Sequence, residues 1–110
     1  MRKFFALVLI SCLSSVSAQI PDLSQFTGYK IIYSGHITGY QDPGKKAHTG
    51  WDFEGCDYDR KIFIDDQYEV YCRTYSYSYS YHPKVTILSN GHTAKMIVNG
   101  NTYDISLQEY

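Results

Sequence analysis

The clearest periodicity in the chain lies near its end. Tyr103, Ile105 and Leu107 alternate with Thr102, Asp104 and Ser106, the period of two that sends one set of side chains to a buried sheet face and the other to water. Upstream, Asn99-Gly100 and Asn90-Gly91 are two-residue hairpin signals, because Asn and Gly tolerate the left-handed backbone of a tight turn. They divide Lys84 to Ser89, Thr93 to Val98 and Asn101 to Leu107 into three strands of a meander. Lys61 to Ile64 and Tyr68 to Cys72 flank Asp65-Asp66-Gln67 and predict a further hairpin with an acidic turn. Tyr29 to Tyr40, rich in Ile, Tyr and Thr, predicts one strand kinked or bulged at Gly35. Gln41 to Gly50 reads as a loop punctuated by Pro43 and Gly44, and Trp51 to Glu54 as a short strand.

No stretch of ten or more residues carries helical periodicity. The expected fold is therefore all-β, with six to eight short antiparallel strands forming a small barrel or a compact two-layer sandwich. One segment constrains it further. Fifteen residues of straight strand from Tyr68 to His82 would span about 50 Å at 3.4 Å each, against a domain width of roughly 30 Å. The strand must bend or break, and Arg73-Thr74, just after Cys72, is the expected place.

The amino-terminal segment changes the picture of where this domain works. Met1-Arg2-Lys3 is a short positive start, Phe4 to Leu13 is apolar, and Ser14 to Ala18 ends in small residues. This is the pattern of an export signal over residues 1–18, leaving a single β domain over residues 19–110 whose first part, 19–28, is an irregular lead-in. The apolar run is too short to span a bilayer. A second reading is a lipobox at Leu9-Ile10-Ser11-Cys12, which would leave a lipid anchor on Cys12. The preferred reading is cleavage after Ala18 and a periplasmic or secreted protein.

In either case Cys12 leaves the pairing problem, and Cys56 and Cys72 remain. In an oxidising compartment they predict one disulfide, whose loop removes about 3 kcal/mol of unfolded-state entropy. After the signal, eight of the ten Lys and Arg face all eleven Asp and Glu, a formal charge of −3. A mildly acidic chain argues against nucleic acid as a partner.

Gly55-Cys56-x-Tyr58-x-Arg60-Lys61, then Cys72, the Tyr-Ser alternation through Tyr81, Pro83 and a closing Lys95 to Tyr103 segment resemble small exported bacterial proteins of uncharacterised function. That resemblance covers most of the domain and implies no chemistry. A more distant likeness, in size, export, single disulfide and strand-rich meander, is to periplasmic inhibitors of lysozyme. Their inhibitory loop has no residue-by-residue counterpart here, so no site is carried over.

Several stretches invite a chemical reading. Gly39 to Lys46 falls one residue short of a phosphate-binding loop, since Lys46 stands where Ser or Thr should hold magnesium. Asp52, Glu54, Asp57 and Asp59 crowd around Cys56, but without the ligand order of a calcium loop, and a deep cleft for glycosidase carboxylates is not expected in a domain this small. His36, His48, His82 and His92 lack metal-ligand spacing, and no Ser or Cys has a nucleophile motif around it. No catalytic residue, metal site or cofactor is assigned.

The twelve tyrosines are the unusual number. Tyr71, Tyr75, Tyr77, Tyr79 and Tyr81 share one strand face, with Ser76, Ser78 and Ser80 on the other. The default for such alternation is Tyr inward and Ser outward; the alternative is an exposed aromatic strip that meets a protein, sugar rings or bases. A hairpin at His82-Pro83 would decide by its loop length, since one residue of register flips every side chain. The expectation is a split, with Tyr71 and Tyr75 buried near the disulfide and Tyr79 and Tyr81 partly exposed. Tyr75, Tyr77, Tyr79 and Tyr81 are the candidate binding residues of a non-enzymatic domain, of inhibitor or immunity type, for a protein of the cell envelope or exterior. A polysaccharide or cell-wall-binding module and a small hydrolase are the alternatives.

Overall fold

The structure is a computed structural model and describes residues 23–108. The expected signal at 1–18, Cys12 and the start of the lead-in lie outside the described residues. A short 3-10 turn, Ser24–Phe26, precedes eight strands: β1 (Lys30–Gln41), β2 (Asp52–Phe53), β3 (Lys61–Ile64), β4 (Tyr68–Cys72), β5 (Ser80–Tyr81), β6 (Lys84–Ser89), β7 (Ala94–Val98) and β8 (Asn101–Ser106). Six of them close an antiparallel barrel in the order β1-β3-β4-β8-β7-β6, and β2 and β5 pair separately as a ribbon. Of the two architectures expected, the barrel is the one adopted. No helix among the described residues is long and apolar enough to cross a membrane.

Closure depends on β1 serving two neighbours. Lys30 to His36 pair with β6, and Ile37 to Gln41 pair with β3. The register shifts fall between Ile31 and Tyr33 and between Ile37 and Gly39, so the bulges flank Gly35 instead of sitting on it. Gly35 is required for a different reason. A Cβ there would lie 2.2 Å from the Asp65 carboxylate, which accepts the His36 amide at 2.9 Å.

The period of two fills the barrel. Ile62 and Ile64, Val70 and Cys72, Val85 and Ile87, Ala94, Met96 and Val98, and Tyr103 and Ile105 all point inward and are buried. Leu107, expected to continue the series, lies beyond the end of β8 and is exposed. Asn99 and Gly100, both with positive φ, make the two-residue turn between β7 and β8. The β6–β7 connection is wider than Asn90-Gly91 alone suggests and runs over four residues from the Ser89–Ala94 pair. The Asn90 side chain explains this, because its carbonyl accepts the amides of His92 and Thr93 at 2.8 and 2.7 Å.

The break after the disulfide lies where expected. β4 ends at Cys72, the Arg73 amide donates to the Asp104 carbonyl, and the chain leaves the barrel to run beside β2. It returns at Pro83, whose carbonyl accepts the Ile37 amide at 3.0 Å. His82-Pro83 is therefore a corner and not a hairpin. The reason is topological: β6 already has β1 on one edge and β7 on the other, which leaves no edge for β5.

Candidate binding surface

Four ties hold the β2–β5 ribbon. Cys56 and Ser76 exchange backbone hydrogen bonds of 2.8 and 2.9 Å, and the Cys56–Cys72 disulfide joins the same point to β4, with its Cα atoms 5.5 Å apart. Phe53 is fully buried and meets Tyr103 edge-on at 5.7 Å. The fourth is Gly55. Its φ of +84° and the close backbone of Ser76 to Ser78 leave no space for a side chain.

These ties decide which way the tyrosines face. Ser80 lies opposite Phe53, on the side turned to the barrel, and Tyr81 lies opposite Asp52. Phe53, the disulfide and the backbone at Gly55 occupy the inner space, and against it Ser78 and Ser80 are half-buried while Ser76 is exposed. Tyr75, Tyr77, Tyr79 and Tyr81 are 62, 64, 57 and 63% exposed. The default orientation is thus reversed and the expected split corrected: Tyr75 is as exposed as Tyr81, and of the pair nearest the disulfide only Tyr71 is partly covered, with the Lys61 ammonium over its ring at 5.8 Å.

The structure adds a group that sequence spacing does not announce. Trp51 stacks on His82 at 4.4 Å, His82 stacks on His36 at 4.9 Å, and Tyr81 is tilted against Trp51 at 6.4 Å. Trp51 and His82 both have positive φ, 69° and 46°, and the His82 amide donates to the Trp51 carbonyl at 2.7 Å. A left-handed conformation costs a non-glycine residue about 1–2 kcal/mol, so the two residues closing this end of the ribbon are held under strain. The stacked rings of Trp51, His82 and His36 come from separate parts of the chain, and the single Trp is the only sequence signal that could have pointed to them.

The carboxylates around the disulfide take separate partners. Asp52 accepts the Tyr79 hydroxyl at 3.2 Å and lies 3.0 Å from His48 Nε2; the bond to Asp52 pushes the Tyr79 phenol above its ordinary pKa. Glu54 accepts the Tyr40 hydroxyl at 2.6 Å, and burial together with that bond raises Tyr40 to about 12. Asp57 accepts the Tyr58 amide. Among the described residues no three His, Cys, Asp or Glu side chains gather to hold a metal.

Asp42 belongs to a different unit. It forms a two-pronged pair with the buried Arg60, at 2.6 and 3.2 Å, while Arg60 also donates to the Gly55 carbonyl and lies 4.5 Å over the Tyr40 ring. Burial alone would lower the guanidinium pKa, and Asp42, together with Tyr40 and Asp57, leaves it raised. The stretch that approximates a phosphate loop is a turn closed by Lys45 and Asp42, with no helix after Lys46. Open surface depressions include one of about 350 Å³ lined by Gln41, Asp42, Pro43 and Gly44 of that same turn with Lys61 and Tyr71, and one of about 320 Å³ among Ile32, Tyr33, Tyr68 and Leu107. The chain matches no known protein-family model, no curated protein and no solved structure.

Proposed function

We propose that this protein is an exported, non-enzymatic binding domain of inhibitor or immunity type that docks its tyrosine face on a protein of the cell envelope or exterior. The observation that carries the reading is the exposure of Tyr75, Tyr77, Tyr79 and Tyr81 on a ribbon tied to a closed barrel. At about 60% exposure and roughly 200 Å² per ring, the four present on the order of 500 Å². That is more than half the area one partner commonly buries in a stable complex, about 800 Å². Tyrosine suits this use, since it gives large contact area with few rotatable bonds to immobilise.

The test is capture from an envelope extract on the tagged protein, alongside a Tyr77→Ser, Tyr79→Ser, Tyr81→Ser triple variant of unchanged thermal stability. A protein retained by the wild type and lost by the variant supports the reading. Retention that ignores the three substitutions removes it. Selective retention on insoluble polysaccharide, with no protein captured, replaces it with a carbohydrate-binding module.

A further inference from the structure

We infer that the tyrosine face recognises an extended polypeptide segment bearing arginines at alternate positions. The inference rests on the reading of this face as a protein-docking surface and names the chemistry of its partner. Four observations converge on it.

The first is charge. The segments that build the ribbon, residues 47–59 and 74–83, carry Asp52, Glu54, Asp57 and Asp59 and neither Lys nor Arg. Of the cations around them, Arg60 pairs with Asp42, Lys61 with Glu69 and Lys95 with Asp104, while Lys46, Arg73 and Lys84 flank the two segments in the chain. Charged side chains of one sign on the ribbon itself draw and orient a partner of the other sign.

The second is ring chemistry. The face of a tyrosine attracts a cation, and this chain uses that contact repeatedly, with Arg60 over Tyr40, Lys61 over Tyr71 and Lys95 over Tyr29. The exposed rings of the ribbon offer the same surface outward.

The third is the place of Asp52. It sits opposite Tyr81 in the ribbon, accepts the Tyr79 hydroxyl through one carboxylate oxygen and has His48 Nε2 3.0 Å from the other, so a second lone pair on each oxygen is what remains for a partner. A cation lying on either ring meets a carboxylate beside it. Guanidinium fits this pairing better than ammonium, because its plane stacks on a ring while its edge donates to a carboxylate.

The fourth is spacing. The exposed rings recur at every second residue from Tyr75 to Tyr81, and side chains on one face of an extended partner also recur at every second residue, about 6.8 Å apart. An Arg-x-Arg-x-Arg segment therefore offers one guanidinium for each of the successive exposed rings of Tyr77, Tyr79 and Tyr81.

Trp51, the only tryptophan, lies beside Tyr81 and serves as the reporter. The probe is a seven-residue peptide alternating Gly and Arg, titrated by Trp fluorescence into the protein, with a Gly-Glu peptide of the same length and a soluble peptidoglycan fragment as comparisons. The Gly-Arg peptide should bind at least about tenfold more tightly than the Gly-Glu peptide. Its affinity should fall severalfold between low and physiological salt, since exposed charges are screened. Asp52→Asn with Asp57→Asn, and separately Tyr79→Ser, should each weaken it by about fivefold. Equal binding of the two peptides, insensitivity to salt, or binding of the peptidoglycan fragment in place of the Gly-Arg peptide would overturn the inference. The two readings fail separately. A captured protein that depends on the tyrosines but ignores both salt and the Asp→Asn changes ends the cationic inference and leaves the docking surface standing. Capture independent of the tyrosines ends the docking surface itself.

Discussion

Replacing Gly55 with alanine tests the joint on which the exposed face depends. Gly55 and Gly44 both have a left-handed backbone, with φ of +84° and +71°, so an added Cβ costs each about 1–2 kcal/mol from conformation alone. Their surroundings differ. Around Gly44 nothing lies within 4 Å of the new atom, whereas at Gly55 it would meet the Ser76 carbonyl at 2.1 Å, the Ser78 amide nitrogen at 2.7 Å and Tyr77 Cα at 2.9 Å. All three are backbone atoms, so no side chain can swing aside. Relief requires the strands to separate by close to 1 Å, which breaks the reciprocal Cys56–Ser76 hydrogen bonds. At a net of about 1 kcal/mol per bond, Gly55→Ala should cost about 3–4 kcal/mol, and Gly44→Ala about 1–2 kcal/mol. Urea unfolding of both variants with the disulfide intact measures the difference. Amide exchange locates it, because Cys56 and Ser76 should lose protection in Gly55→Ala and keep it in Gly44→Ala. If the two variants differ by less than about 0.5 kcal/mol, the close crossing at Gly55 is not what holds the ribbon.

Other expectations are simpler to state. Tyr75→Ala and Tyr77→Ala should each cost under about 1 kcal/mol, because most of each ring is already in water. Phe53→Ala, which empties a fully buried site, should cost about 3–5 kcal/mol; a Tyr77 loss of that size in the same unfolding assay would place the ring in the core. Tyr103→Phe should be neutral or stabilising by up to about 1 kcal/mol, since its buried hydroxyl has no hydrogen-bond partner among the described residues, and a clear loss would mean that a water serves it. In alkali, Tyr33, which donates to Asp65, and Tyr40 both have folded pKa values of about 12. Their protonated forms favour the fold fully below the ordinary tyrosine value near 10, and this contribution is lost as pH rises through 12. Phenolate absorbance should show Tyr33 and Tyr40 titrating latest, and Tyr33→Phe and Tyr40→Phe should each remove one of these titrations. Two normal titrations in the wild type would refute those bonds.

The parts of this fold that are legible in sequence are those set by neighbours along the chain. Alternation marks the inward residues of β6, β7 and β8. Asn99-Gly100 supplies the left-handed pair its turn needs, and two remaining cysteines leave one pairing. The tyrosine orientation belongs to another class. Alternation says that Tyr75 to Tyr81 share a face and is silent on which face is inside, because that depends on what fills the other side. Here the filling comes from Phe53, Gly55 and Cys56, some twenty residues upstream. A hairpin at His82-Pro83 fails for a related reason: it needs β5 and β6 as neighbours, and barrel closure by β1 has already taken that edge. Gly35 misleads in the same way, since a glycine in a strand reads as a bulge when its real neighbour is the Asp65 carboxylate, brought there by the β3–β4 turn.

What distinguishes the tyrosine face from a frayed strand is how much structure is devoted to holding it outward. A free Tyr-Ser segment would gain by turning its rings toward an apolar surface, at about 25 cal/mol for each Å² removed from water. This segment is prevented from doing so by a disulfide at one end, by Phe53 seated in the core near the other, and by the left-handed Trp51 and His82 that close the corner. Each of these would be unnecessary if the rings were core residues. A surface fixed in this way loses little conformational freedom when it is covered, and that loss is among the main costs of association. Rigidity, aromatic area and single-sign charge thus fall on the same short ribbon, while the barrel beneath contributes the closed hydrophobic core that keeps it in place.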